Sequence, residues 1–223
     1  VFHSDDDRAQ FETDDTLVKT IPNGTGVERN VSTRTVERVQ DRYDIEPSTP
    51  TAVFVGSYDY EPNAEAARRI NDVIAPQLPD IEFLLVGRDP PATTAANVTE
   101  LGFVEELSGV LAAADVGICP LRHGSGTKLK IMDYLAAGLP VVTTTVGATG
   151  IDLVDEESAL IRDDDAAFVA AVESVVSSAD IAEQLSQAAV ELSEQYQWGT
   201  LLDVYDLVVK NIITNSKHNS GFL

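Results

Sequence analysis

The residues best placed to do chemistry lie in one short run: Arg122, His123, Gly124, Ser125, Gly126, Thr127, Lys128, Leu129, Lys130, Ile131, Met132 and Asp133. Between Asp89 and Ile161 the only cations are Arg122, Lys128 and Lys130. The chain as a whole carries 37 acidic against 15 basic residues, a formal net charge of −22. Three cations this close together on such a background point to an anion. The small residues Gly124, Ser125 and Gly126 follow an apolar run ending at Leu121 and precede a helical pattern. The spacing predicts a helix to Ala137 that starts near Gly126 or Thr127. A helix start offers unpaired amides and the positive end of a dipole, which suit a phosphate. On that helix Gly126, Lys130 and Asp133 fall at i, i+4 and i+7 and share one face, while Leu129, Met132 and Ala136 turn toward the core. Phosphates at the helix start and a carboxylate about 10 Å further on fit a nucleoside diphosphate whose ribose hydroxyls donate to Asp133. The alternative is an ordinary surface helix with an i, i+3 Lys–Asp pair. The run has neither G-x-x-x-x-G-K-[ST] nor the third glycine of a dinucleotide fingerprint, which argues against an ATPase or a dehydrogenase.

The elements that must hold these residues follow from the apolar pattern. Thr51–Val55, Phe83–Val86, Val98–Leu101, Val116–Leu121, Val141–Thr144 and Ala159–Ile161 read as short strands, apolar on both faces. Helical patterns lie between them: one opened by Pro62 with Ala66, Ile70, Val73 and Ile74 on a face, one over Leu107–Ala114, and the one to Ala137, which Gly138 caps and Pro140 stops. Strands alternating with helices in this way predict an α/β fold, a parallel sheet covered by flanking helices. Three helical patterns follow: Phe168, Val172, Val175 and Val176; Leu185, Ala188, Ala189 and Leu192; and a last one from Trp198 with Leu201, Tyr205, Val208 and Ile212 on a face. Residues 214–223 are polar without period and read as a frayed tail. The first 49 residues differ in kind. Ser4 and Asp7 suggest a helix start and Leu17–Ile21 a short strand ending in Pro22-Asn23-Gly24, while the stretch over 25–50 is too polar to form a core of its own.

Composition bounds the rest. At 223 residues, 43% hydrophobic and 23% charged, the chain can bury a core without disulfide or metal staples. No apolar stretch approaches the roughly 18 residues of a membrane helix, and the first residues show no apolar signal core; the expectation is a cytoplasmic protein. A charge of −22 repels phosphate backbones and argues against nucleic-acid binding. Asp (21) exceeds Glu (16), and Arg (10) exceeds Lys (5), a balance that fits a halophilic surface; an acidic mesophilic protein is the alternative. The lone Cys119 lies in an apolar run and reads as a core thiol, which excludes a disulfide framework or a multi-cysteine metal site. Asn23-Gly24-Thr25, Asn30-Val31-Ser32 and Asn97-Val98-Thr99 fit the glycosylation triplet and are taken as chance occurrences.

Four blocks, in order, carry a family likeness: Val55-Gly56-Ser57 through Pro62-Asn63; Leu85-Val86-Gly87 with Leu101-Gly102-Phe103-Val104; Pro120-Leu121-Arg122 through Lys130, Asp133 and Gly138-x-Pro140-Val141-Val142; and Gly147–Ile151. With Ile21-Pro22-Asn23-Gly24 as a domain junction, the chain resembles the C-terminal, donor-binding domain of GT-B glycosyltransferases of family 4, a retaining group that uses nucleotide sugars. The resemblance implies a Rossmann-like domain over 50–197, the end of an N-terminal acceptor domain plus linker over 1–49, and a crossing helix over 198–213. It implies catalytic roles for Arg122 and Lys130, which neutralise the diphosphate. Donor contacts would come from Gly56, Ser57, Phe103 and Val104 (the last two through their backbone to the base), Ser125, Gly126, Thr127, Lys128 and Asp133. It implies no metal and no cofactor beyond the nucleotide-sugar substrate.

Two departures qualify the match. The family usually places two glutamates where this chain has Ser125 and Asp133, and its N-terminal domain supplies the acceptor contacts and often a histidine. The expectation is therefore a donor-binding half, inactive in transfer by itself. Its partners would be a nucleotide sugar, an acceptor that is lipid-linked, a glycan or a protein, and an acceptor-domain partner chain. A place at the inner membrane face would come only through that domain. A non-catalytic nucleotide-sugar-binding module, one chain of a split enzyme, and a GT-B sugar-nucleotide 2-epimerase are the alternatives. His123 is weighed as a ligand contact against a solvated loop residue, and Trp198 and Tyr205 as anchors of the last helix.

Overall fold

A computed structural model describes residues 20–219, with side chains to Lys210. The expected helix start at Ser4 and the strand from Leu17 lie outside these residues, apart from the strand's end at Thr20 and Ile21. Six segments form strands: β1 (Thr51–Val55), β2 (Glu82–Val86), β3 (Val98–Gly102), β4 (Val116–Cys119), β5 (Val141–Thr143) and β6 (Leu160–Ile161); the edge strand β3 exposes Thr99 and Glu100 and is not apolar on both faces as expected. The six strands make one sheet in the order β3-β2-β1-β4-β5-β6, every neighbouring pair parallel. Helices cover both faces, as buried parallel strands require. They are α1 (Thr33–Tyr43), α2 (Glu61–Arg69, continued by a wider turn over Ile70–Ile74), α3 (Leu107–Ala112), α4 (Leu129–Ala137), α5 (Thr145–Ala148), α6 (Asp165–Ser177), α7 (Ala179–Ser193) and α8 (Trp198–Asn219).

The strand order reverses direction at β1 and β4, and that is where an open α/β sheet leaves a crevice at its carboxyl edge. The opening is visible in the register. β1 meets β4 only at Ala52↔Val116 and Val53↔Gly117. Beyond them the strands part, and the Tyr134 hydroxyl fills the gap: the Val55 amide donates to it at 2.8 Å and it donates to the Ile118 carbonyl at 3.3 Å. Gly117 makes room for the ring, since a Cβ there would lie 2.5 Å from Tyr134 Cδ2.

Several sequence expectations are corrected. Helix α4 begins at Leu129, after an extended Lys128, so Gly126 lies in the loop and shares no helix face with Lys130 and Asp133. Leu129 is 53% exposed, whereas Met132 and Ala136 do turn inward. The polar stretch over 25–50, expected to form no core of its own, is docked on the sheet domain. Its helix α1 starts on a Ser32 cap and buries Val39 completely against Gly109 of α3, where a Cβ would come within 2.8 Å of Val39 Cγ2. At the other end α8 runs to Asn219, past the Thr214 from which the sequence suggests fraying. The Trp198 indole covers Gly24 and Leu201 is buried, while Leu202, Leu207 and Val209 are exposed. Cys119 is a fully buried free thiol, as the apolar run predicts. Asn97 of the third triplet is spent on structure, its amide donating to the Ala75, Leu78 and Ile81 carbonyls. No helix among the described residues is long and apolar enough to cross a membrane.

Candidate functional site

The crevice at the switch point is bordered by the loop after β1, the start of α2, and the segment from β4 to α4. Lys130, in the first turn of α4, reaches across it. Its Nζ donates to Asn63 Oδ1 at 2.8 Å and stands 4.9 Å from the centre of the Phe54 ring. Burial pushes the ammonium below the ordinary lysine range; weaker effects of Cys119 and Asp133 oppose this. The other end of the Asn63 amide donates to the Ser57 carbonyl at 2.9 Å. Gly56 lies against Asn63, and a Cβ there would sit 2.9 Å from the amide. Asn63 thus ties the Gly56–Ser57 loop to Lys130, a link between α2 and α4 that the sequence reading does not contain.

Lys128 is placed differently from expectation. Its ammonium turns back into its own loop and donates to the carbonyls of Gly126 (2.7 Å), Ser125 (3.1 Å) and Gly124 (3.4 Å). The residue is only 6% exposed. Gly124 and Gly126 have positive φ, at 127° and 73°, which lets the carbonyls converge on one point at no steric cost. With the carbonyls drawn inward, nothing among the described residues accepts from the amides of Ser125, Gly126 and Thr127. The Thr127 hydroxyl is buried and also unpaired, with Gly150 packed beside it. A loop with unpaired N–H groups is a concavity for an anion.

Arg122 is the third predicted cation, and it is half-exposed and engaged: its guanidinium donates to Asp165 Oδ2 at 2.7 Å. Arg69, almost fully buried, takes Asp165 Oδ1 at 2.6 Å and also donates to the Pro120 and Asp163 carbonyls. Burial works against the charge on Asp165, yet the two guanidiniums hold its carboxyl below the usual carboxylate range. His123 faces Glu65, Nδ1 to Oε2 3.4 Å, in the open.

Asp133, one turn after Lys130, is mostly buried, which raises its pKa; a hydrogen bond from Thr25 and the charge of Lys130 act the other way. The Thr25 hydroxyl donates to its Oδ1 at 2.7 Å. Asp133 lines a cavity of about 730 Å³ whose other walls are the junction from Gly26 to Ser32 and the segment from Glu105 to Gly109. Phe103 and Val104 lie just before that wall. Phe103 is 64% exposed, with the Arg88 guanidinium 5.3 Å from its ring centre, and Val104 is buried. Of the expected donor-binding residues, then, Gly56, Ser57 and Lys130 are brought together through Asn63, Ser125 to Lys128 form one loop, and Asp133 lines the cavity. Sequence reasoning misses Thr25, Asn63 and Glu106. Asn63 lies in the quoted block Pro62-Asn63 and Thr25 directly follows Ile21–Gly24, but no local pattern gives either a partner; Glu106, paired with Arg38, lies in no such block.

Comparison with known proteins fits this geometry. A D-inositol 3-phosphate glycosyltransferase of Corynebacterium diphtheriae is 31% identical over 106 residues, 47% of this chain but 25% of that protein, so the chain spans about a quarter of that relative's length. Sucrose-phosphate synthase from Thermosynechococcus elongatus superposes with a TM-score of 0.75 at 18% identity, over 96% of this chain and 58% of that one. The Anabaena protein HepE, solved in complex with UDP and glucose, gives 0.68 at 13% identity over 88% of this chain and 57% of that one. The C-terminal domain of LpcC, a glycosyl transferase group 1 family protein from Francisella tularensis, gives 0.59 at 17% identity and is matched over its whole length by 78% of this chain. These likenesses establish a GT-B, Rossmann-like fold. With residues 49–178, more than half of the chain, matching the family described as glycosyl transferases group 1, the chain belongs to that family.

Proposed function

We propose that the chain binds a nucleoside-diphosphate sugar in the switch-point crevice and takes part in transfer of that sugar with retention of configuration, as a member of glycosyltransferase family 4. The observation that carries this reading is the placement of Lys130, a half-buried cation at the carboxyl edge between β1 and β4 whose only hydrogen-bond partner among the described residues is the neutral Asn63 oxygen. It stands beside a loop with three unpaired amides. HepE, of the same fold, is solved with UDP and glucose, which supports a nucleotide in this crevice.

On this reading the bond between the anomeric carbon and the diphosphate oxygen breaks with its electron pair going to the leaving group, an acceptor hydroxyl oxygen bonds to the anomeric carbon, and its proton passes to the departing diphosphate. Lys130 and the Ser125–Thr127 amides stabilise that charge from fixed positions. Preorganised donors aimed at developing charge are the largest single source of such catalysis. Lys128 acts through the loop it holds. Arg122, which stays paired with Asp165, adds its positive charge at the edge of the site. Asp133 receives the ribose hydroxyls, Gly56 and Ser57 border the sugar, and the Phe103–Val104 backbone borders the base. Side-chain cations fill the role of a metal, so the reaction needs no resident cofactor. Acceptor contacts come from another domain or chain.

Equilibrium titration with UDP, GDP and ADP in high salt tests the reading. The expected result is saturable binding of one of them by the wild type and a loss of at least tenfold in Lys130→Ala. Equal affinity in the variant would remove Lys130, and with it the site, from consideration.

A further inference from the structure

Thr25 is 108 residues from Asp133 in the chain, and its hydroxyl is nonetheless fixed on that carboxylate. The residue is 5% exposed. Its oxygen accepts the Val27 amide at 3.0 Å, so its own proton is directed to Asp133 Oδ1 at 2.7 Å. The backbone on either side is pinned as well. The Thr25 amide donates to the Tyr196 carbonyl at 3.0 Å, and Thr25 bridges Gln197. The Glu28 amide donates to the Ser108 hydroxyl at 3.1 Å. The hydroxyl therefore sits on a rigid support rather than on a loose segment. Among the described residues Thr25 is the only hydrogen-bond partner of the Asp133 carboxylate.

We propose that Thr25 is a positioning residue: it fixes the plane of the Asp133 carboxylate by occupying Oδ1, and leaves the second oxygen for the hydroxyls of a ribose in the adjoining cavity. This rests on the reading of Asp133 as the ribose acceptor. A carboxylate in ionised form only accepts, so a diol with two O–H donors is its natural ligand there. A buried carboxylate without the Thr25 proton would be both freer to rotate and closer to neutral, and a protonated carboxyl offers a ligand hydroxyl a weaker acceptor.

The probe is whichever of UDP, GDP or ADP binds, together with its 2′,3′-dideoxy counterpart. Wild-type protein is expected to prefer the ribose form by roughly tenfold, the worth of one hydrogen bond to a charged group. In Thr25→Val, which keeps the buried shape, the preference shrinks to roughly twofold or less through weaker binding of the ribose form alone, and Thr25→Ser restores it. Equal weakening of both ligands in Thr25→Val would mean a merely structural role and overturn the proposal, as would an unchanged preference. Should Thr25→Val fail to fold, Thr25→Ser decides, because it retains the hydroxyl without the methyl: preserved preference supports the assignment and lost preference ends it. Asp133→Asn separates the two levels. If it keeps the full ribose preference, the ribose reading itself fails; if it loses the preference while Thr25→Val keeps it, only the role of Thr25 fails.

Discussion

Lys128 and Lys130 are two residues apart, and their charges do different jobs. The first belongs to the loop before α4 and is surrounded by three carbonyl oxygens of that loop. The second belongs to the helix and has one neutral amide oxygen and the face of an aromatic ring. A count of cations treats them alike. The structure separates an ammonium already satisfied by its own backbone from one that is half-buried and still short of partners. The difference teaches that a site's usable charge depends on what the loop conformation has consumed. Here two positive-φ glycines decide that.

The largest expected effect falls on ligand binding. Lys130→Met should weaken nucleoside diphosphate binding by about 10- to 100-fold, the range for a charged hydrogen bond of about 1.5–3 kcal/mol. Calorimetric titration reads it, and a loss below twofold would collapse the distinction drawn here. Next comes stability, where the order should reverse. Lys128→Met strips a shared donor from three carbonyls and should cost about 1–3 kcal/mol in denaturant unfolding. Lys130→Met removes a half-buried charge with one neutral partner and should stay within about 1 kcal/mol of wild type. Equal losses would show that both ammoniums serve the loop.

A third test uses pH. Burial lowers the Lys130 pKa, so between its value in the folded protein and the ordinary lysine value of about 10.4 the unfolded chain binds more protons. Stability therefore gains as pH rises through that window, while diphosphate affinity falls because the charge is lost. Asn63, Phe54, Cys119 and Asp133 face the ammonium; the Cys119 thiol is itself pushed up by burial. Lys130→Arg, which remains charged, should give a flat affinity profile up to about pH 10; a matching decline would assign the titration to another group. The smallest effect belongs to Arg122→Ala. An exposed pair contributes about 0.5 kcal/mol, so melting should barely move, and affinity should fall by roughly a factor of two. A tenfold loss would instead show that Arg122 leaves Asp165 for the ligand.

Much of the fold is legible because buried parallel strands are short apolar runs with few alternatives. Thr51–Val55 and Val141–Thr143 can hardly be read otherwise. The α4 segment shows the limit. A glycine-rich loop and a helix start look alike in sequence, so the predicted start at Gly126 or Thr127 fell before the real one at Leu129, and the supposed shared face lost its first member. Lys128 is misread for the same reason, since only the positive φ of Gly124 and Gly126 reveals that its own loop supplies three acceptors. Leu129 follows: as the first helical residue it is left 53% exposed. The shared face of Lys130 and Asp133 does not depend on that start, because an i, i+3 pair keeps its face wherever the helix begins. Thr25 and Asn63 are invisible to local pattern, because each works through a side chain far away in sequence.

The lone thiol of Cys119 closes the β4 strand under complete burial, with Gly147 so near that a Cβ there would lie 3.0 Å from the sulfur. Only a thiolate reacts with an alkylating label, and this one is shielded and held protonated. Modification must therefore wait for the chain to open, and its rate follows the population of open molecules. Any ligand that binds only the closed form slows it by mass action. The protein carries its own clock, and timing a single covalent mass increment reports both how often the sheet comes apart and what keeps it shut.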